Sequence, residues 1–196
     1  MLRARVKELH YITSSANLVS IATHGLLSHK RAQHVPHVSV ANLKVQNRRA
    51  PKILPNQRSL HEYVNLYFDA RNPMMYSLMA DGAEDLVIVR VSSDVLDFPG
   101  TILTDGNGAS DSTKFLAVHG LEKLDESKVY AVSWNAADPF QKIELKRLRC
   151  AEVLVPDMVA PDYLNGCYVP QQVQRAVCAE QVPDWTVEVW PRVFFR

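Results

Sequence analysis

Residues 85–91, DLVIVRV, constrain the chain more than any other segment, because they form the clearest buried strand in the sequence. A buried strand needs a sheet around it and further layers to cover that sheet. Shorter strand signals lie at residues 6–12, which alternate loosely, and at 63–68, YVNLYF, which are aromatic and β-branched. Others lie at 101–104, at 151–155 (AEVLV, ended by Pro156), at 167–169 and at 186–190. Helix signals fall between them. Ser14 or Ser15 can cap a helix carrying Leu18, Ile21 and Ala22 on one face, with Gly25 as its C-terminal cap. A short helix is expected within 41–49, stopped by the Ala50-Pro51 step, another from Pro73, and a third over about 171–179. The strands and helices follow no regular βαβ alternation, so an α+β fold with a mixed sheet and surrounding helices is expected rather than a doubly wound parallel sheet.

A chain of 196 residues, 47% of them hydrophobic, can bury one sizeable core, and residues 1–196 are read as a single domain. Lysine and arginine number 22 against 21 acidic residues, so no global field recruits nucleic acid or an anionic membrane; any nucleic-acid contact has to be local. Cys150, Cys167 and Cys178 form no CxxC pair and are odd in number, which fits a reducing, cytoplasmic setting. The start, MLRARVKELHYITSS, lacks the apolar run of a secretory signal, and no stretch reads as a membrane span. The seven histidines lack a paired cysteine or carboxylate set, so no metal site is expected. GxGxxG, P-loop, HExxH and GxSxG motifs are absent, which removes the common dinucleotide, P-loop, zinc-protease and hydrolase readings. Pattern alone stops at an α+β enzyme or binding domain.

Five blocks in order take the reading further: YITSSANLVSIATHGLLSH at 11–29, NRRAPK at 47–52, LHEYVNLYFDARNPMMY at 60–76, ILTDGNGAS at 102–110 and KRLRCAEVLVPD at 146–157. Together they resemble the DarT family of DNA ADP-ribosyltransferase toxins, with one departure: Tyr11 stands where many members carry His. The resemblance implies an ADP-ribosyltransferase-like fold with a split sheet, in which two packed small sheets form a cleft for NAD. It also implies a mono-ADP-ribosyltransferase that uses NAD as substrate, attaches ADP-ribose to guanine or thymine of single-stranded DNA, and is countered by a DarG-type macrodomain antitoxin. Tyr11 and the wording at 72–76 lean toward guanine. RNA or protein acceptors, or a non-catalytic single-strand binding module on the same fold, are the alternatives.

The same resemblance assigns roles to residues. Glu152 is implied as the catalytic carboxylate, because nicotinamide–ribose cleavage builds oxocarbenium-like charge that a nearby anion stabilises; the plain alternative is the outward residue of the strand AEVLV. Arg49 is implied as its partner on the acceptor side, polarising the base and the pyrophosphate, with Arg48 as the adjacent competitor and a solvated helix end as the plain alternative. Tyr11, Thr13, Asn17, Arg49, Tyr67 and Tyr76 are the implied NAD contacts, although Thr13 and Asn17 fit helix capping and Tyr67, Met75 and Tyr76 fit an ordinary core equally well. Arg48, Asp105, Gly106, Asn107 and Arg147 are the expected DNA contacts, with a turn as the plain role for 105–107; the glycines of 105–110 are expected to permit left-handed backbone and close approach to a ligand. Basic clusters at Arg48, Arg49, Lys52 and Arg58, and at Lys142, Lys146, Arg147 and Arg149, offer phosphate tracks, the second reading more naturally as a solvated face. An unpaired base suits such an enzyme, since a stacked, paired one presents no room for NAD.

Overall fold

A computed structural model describes all 196 residues. Ten strands and seven helices run in the order β1 (Glu8–Ser14), α1 (Leu18–His24), β2 (Leu26–Leu27), α2 (His29–Ala32), α3 (Leu43–Arg49), β3 (Tyr63–Tyr67), α4 (Pro73–Ala80), β4 (Leu86–Ser92), β5 (Ile102–Thr104), β6 (Phe115–Ala117), α5 (Glu126–Val129), α6 (Pro139–Leu148), β7 (Glu152–Pro156), β8 (Met158–Val159), β9 (Leu164–Val169), α7 (Gln172–Gln181) and β10 (Val187–Val189). Eight strands form one mixed sheet in the order β10-β9-β4-β1-β3-β7-β5-β6, and β2 pairs with β8 in a separate ribbon. All neighbours in the large sheet are antiparallel except β9 and β10, which α7 joins as a parallel crossover.

The expected buried strand is β4, flanked by β1 and β9. Val87, Val89 and Val91 point to one face and join the main core with Leu9, Leu66 and Val153, while Leu86 and Ile88 point to the other and join Ile12, Tyr67, Met75 and Phe194. Both faces are therefore covered, and period-two alternation puts apolar side chains on each. Fully burying one such side chain contributes about 1.5–3 kcal/mol.

The decisive feature for function is the join between β1 and β3. They pair at a single position, His10 opposite Tyr67, whereas β1 pairs with β4 along seven residues and β3 with β7 along five. The sheet is thus two four-stranded halves held at one rung, and beyond it Tyr11–Thr13 and Tyr63–Asn65 diverge to open a cleft.

Local signals explain much of this. The Ser14 hydroxyl accepts from the Ala16 N–H, a 3-10 turn over Ser15–Asn17 leads into α1, and Gly25 ends α1 at φ 78° with its N–H on the Ile21 carbonyl. A Cβ at Gly25 would lie 2.1 Å from the Val159 carbonyl oxygen of β8, so this turn requires glycine. Strands β2, β6 and β8 and helices α2, α5 and α6 had no counterpart in the sequence reading. For α6 the signal was present: Asp138 caps it by accepting from the Phe140 and Gln141 N–H groups, with Pro139 as the first helical residue. No helix is long and apolar enough to cross a membrane.

Candidate active site

The cleft between the two half-sheets encloses about 480 Å³, within the range of ligand pockets for cofactor-sized molecules. β1 supplies Tyr11 and Thr13, β3 supplies Asn65 and Tyr67, α4 supplies Met74 and Ser77, and α3 supplies Arg49. Arg49 is the last residue of α3 and is only 5% exposed, while its neighbour Arg48 points to solvent. Burial therefore selects Arg49 over Arg48 as the arginine of the cleft.

Glu152 opens β7 directly across from Tyr67, in line with the His10–Tyr67 rung. Its carboxylate has no exposed surface, which rejects the reading of an outward strand residue. Arg49 Nη1 and Nη2 donate to Glu152 Oε1 and Oε2 at 2.9 and 3.0 Å, a bidentate pair, and the Gly108 N–H donates to Oε1 at 3.1 Å. Behind the strand, the Glu152 N–H donates to Thr104 Oγ1 at 2.8 Å, and that hydroxyl donates to the Gly106 carbonyl at 2.6 Å, tying β7 to the 105–110 loop. The sequence reading had Glu152 facing the sugar directly. In the structure the guanidinium of Arg49 stands between the carboxylate and the open cleft, whose wall there is Arg49, Tyr67, Asn107 and Cys150. Arg49 and Glu152 present themselves as one unit.

The glycines of the 105–110 loop serve close approach and not left-handed backbone, for neither Gly106 nor Gly108 has a positive φ. A Cβ at Gly108 would lie 3.4 Å from Arg49 Nη1 and 3.5 Å from Glu152 Oε2, and one at Gly106 would lie 2.4 Å from Arg147 Nη1. Arg147 and Asp105, expected to touch DNA, are committed inside the protein. Arg147 donates to Asp105 at 2.7 Å and to Glu144 at 2.6 and 2.7 Å, and Asp105 also accepts the Lys114 N–H. They brace the loop. Asn107 lines the cleft, with its side-chain oxygen capping the Ala109 N–H. In the first basic cluster Lys52 pairs with Asp111, and Arg58 with Asp157 and Glu62, which leaves Arg48 as its one cation without a carboxylate partner.

Asn17 and Thr13 are joined by a 2.9 Å hydrogen bond. Asn17 also grips Val38 from both sides, its amide donating to the Val38 carbonyl at 2.8 Å and accepting the Val38 N–H at 2.9 Å. This places the irregular segment 33–42 over the cleft, so Asn17 shapes the wall from beneath. Tyr11 lines the cleft. Tyr67 donates its hydroxyl to Met74 Sδ at 3.1 Å, and burial followed by the charge of Glu152 pushes its phenol well above the usual range. Tyr76 is corrected: α4 turns it away from the cleft, where it is 52% exposed beside Trp134 and Phe195.

The sequence reading missed His29, His61, Gln46 and Cys150. His29 and His61 lie 4.2 Å apart between ring centres, and His61 Nε2 is 3.1 Å from Gln46 Oε1. Burial, then His29 and Arg49, lower His61 to about 4, so it is neutral at pH 7. Burial, then the charge of Glu152, push the Cys150 thiol up to about 12, which disfavours its thiolate. Burial would lower Arg49, but the charge and hydrogen bonds of Glu152 outweigh it and the guanidinium stays charged. His61 lies within the block at 60–76 and Cys150 within that at 146–157, a positional signal the reading did not use.

A sheet split at one rung, with a buried carboxylate–guanidinium pair at the floor of the split, defines an ADP-ribosyltransferase-like fold, and solved structures agree. Thermosipho africanus DarTG in complex with ADP-ribose superposes with a TM-score of 0.85 at 30% identity, over 96% of this chain and 51% of that one. Thermus sp. 2.9 DarT in complex with ADP-ribosylated ssDNA superposes with a TM-score of 0.82 at 25% identity, over 96% of both. Residues 10–195 match the family model described as DarT, ssDNA thymidine ADP-ribosyltransferase. The chain belongs to the DarT family. It is also 34% identical, over 195 residues, to a DNA ADP-ribosyl transferase-DNA ADP-ribosyl glycohydrolase fusion protein of Thermosipho africanus (strain H17ap60334). The match covers 95% of this chain and 48% of that protein, so the chain spans about half the length of this relative.

Proposed function

We propose that this chain transfers ADP-ribose from NAD to a base of single-stranded DNA, with Arg49 and Glu152 acting as one catalytic unit. The observation that carries the reading is the bidentate Arg49–Glu152 pair, buried at the floor of the cleft in a DarT-family chain. Cleaving the nicotinamide–ribose bond leaves a sugar with cationic character, and a lone guanidinium beside it would be repulsive. Glu152 offsets that charge, so that the pair as a whole does not oppose the cationic transition state. By holding both terminal nitrogens of Arg49 it also fixes the plane of the guanidinium at the cleft wall, with N–H groups to spare. There they polarise a base carbonyl, which makes the adjacent ring N–H easier to lose as attack proceeds.

The cleft volume suits NAD, and the Thermus relative in complex with ADP-ribosylated ssDNA supports DNA as acceptor. The family description names thymidine, so thymine is the first base to test and guanine, the lean from Tyr11 and 72–76, the second. The fused glycohydrolase of the Thermosipho relative supports a role as the toxin of a toxin–antitoxin pair, opposed by a macrodomain that removes the modification. Three unpaired thiols suit action in the cytoplasm.

The test is incubation with labelled NAD and a mixture of single-stranded DNA, duplex DNA, RNA and protein lysate, followed by mass spectrometry of digested nucleosides. Nicotinamide release with one ADP-ribose on a base of the single-stranded DNA is the expected result. Label on RNA or protein alone overturns the acceptor assignment, and no transfer to anything overturns the enzyme.

A further inference from the structure

A second concavity, of about 390 Å³, lies on the far side of α4 from the cleft. Tyr76, Trp134 and Phe195 form its aromatic wall as a mutually edge-on trio, with ring centres 5.3 to 6.0 Å apart and interplanar angles of 71–80°. Arg71, Lys142 and Lys146 form its charged rim. Arg71 spends its N–H groups on the backbone carbonyls of Arg192 and Val132 while its guanidinium lies 4.2 Å over the Phe195 ring. No carboxylate pairs with any of the three cations, although other arginines nearby are fully committed: Arg147 to Asp105 and Glu144, Arg149 to Asp69 and to backbone carbonyls.

Excess positive charge beside a half-exposed ring is the combination that single-stranded nucleic acid recognises, phosphates taking the cations and a base the aromatic face. The concavity and the cleft share one helix as a wall, for Met74 and Ser77 of α4 line the cleft while Tyr76 lines the second hollow. From these observations we infer that Tyr76, Trp134 and Phe195, with Lys142, Lys146 and Arg71, form a subsite for a nucleotide flanking the target base on the same DNA strand. The inference rests on the DNA-modifying reading above and extends it to how the strand is held. Tyr76, the exposed ring of the trio, takes one unpaired base, sequence-tolerantly since every base has a π face, while Trp134 and Phe195 brace it edge-on and Lys142 and Lys146 on α6 hold its phosphates.

Fluorescence anisotropy of a labelled single-stranded DNA 12-mer, measured across a salt series, tests it, together with ADP-ribose transfer to the same oligonucleotide. For Lys142→Gln/Lys146→Gln, the expected result is roughly tenfold weaker binding at low salt and a log–log salt slope shallower by about 1.4, from two lost phosphate contacts. Tyr76→Ser is expected to weaken binding about tenfold with the slope unchanged, as loss of a stack does. All these side chains are exposed, and a thermal melt matching wild type confirms that the variants fold. Wild-type protein that modifies the oligonucleotide while the variants bind with unchanged affinity and slope overturns the subsite alone. Equal weakening of an acidic protein probe by the same variants overturns its assignment to DNA. Wild-type protein that modifies no DNA overturns both readings.

Discussion

Two carboxylate–arginine arrangements sit on the same sheet and look alike in a list of ion pairs, yet only one bears on function. Glu152 on β7 is sealed by a bidentate arginine and a loop N–H, with no surface of its own, and its arginine faces an open cleft. Glu8 on β1 accepts from Arg90 at 2.9 Å and from Tyr168 at 2.7 Å and lies 3.2 Å from His10, while Arg90 bridges onward to Glu188. That second network straps β1, β4, β9 and β10 together at a partly solvated rim, and none of its residues lines the cleft. A buried pair is weak grounds for stability, since desolvation offsets its attraction, so a pair kept beneath a cleft calls for a reason other than folding. A strap at the rim needs none.

The largest expected effect separates the two. Glu152→Gln should lower ADP-ribose transfer by at least about 10³-fold, because it leaves the Arg49 guanidinium unbalanced beside the ribosyl cation, whereas Glu8→Gln should leave kcat within about threefold. Initial rates of nicotinamide release and DNA labelling read both. Equal losses in the two variants would show that both carboxylates act only through folding, and the contrast would be gone. Arg49→Lys comes next, with a fall of about 10²-fold at full occupancy of NAD, because an ammonium cannot span both carboxylate oxygens. Arg90→Lys, which keeps the charge at the strap, should cost activity little. An Arg49→Lys enzyme as fast as wild type would mean that the plane of the guanidinium is irrelevant to the reaction.

How much of this contrast was legible in the sequence depends on whether the signal is local. DLVIVRV, the Ser14 cap, Gly25 and the Pro73 start are local, and β4, α1 and α4 formed where expected. The single rung at His10–Tyr67 is not, because it depends on how two distant strands part, and so the cleft came only with the resemblance. Glu152 and Arg49 are 103 residues apart, and nothing in their neighbourhoods says that they meet. Tyr76 went astray for a geometric reason: two residues beyond Met74 is about 200° around a helix, so a block of sequence that lines a site on one face leaves it on the other. Asp105 and Arg147 pair with each other, and that the two meet across 42 residues was no more legible than the Arg49–Glu152 pair.

Gly108→Ala sharpens the contrast at intermediate size. The added methyl would sit 3.3 Å from Leu60 Cδ2 and 3.4–3.5 Å from the paired Arg49 and Glu152 atoms, so the pair or the loop has to shift by a few tenths of an ångström. Displacement on that scale in a preorganised centre should reduce kcat about tenfold while the melting temperature moves by only a few degrees. By contrast, Gly82→Ala in the turn between α4 and β4 meets no atom within 4 Å, and though its φ of 82° carries some backbone strain, it should leave kcat untouched. A Gly108→Ala enzyme with wild-type kcat and a lower melting temperature would reduce this loop to scaffolding.

The smallest expected effect is in acid, where the two regions titrate in different windows. Burial would raise Glu8, but hydrogen bonds from His10, Tyr168 and Arg90 outweigh it and bring its carboxyl to about 2, against an ordinary 4.5. A carboxyl depressed in the folded state stabilises fully above 4.5, and that contribution drains away as pH falls toward 2. His61 at the cleft is depressed too, to about 4 from 6.5, but as a base: the unfolded chain takes up its proton first, so stability is lost as pH falls from 6.5 toward 4. Melting temperatures recorded from pH 7 to pH 3 should therefore fall in two stages. His61→Gln should flatten the upper stage, with little effect below pH 4, and Glu8→Gln should flatten the lower one. If Glu8→Gln flattened the upper stage instead, the strap would be coupled to the cleft across the His10–Tyr67 rung, and the two halves of the sheet would have to be treated as a single titrating unit.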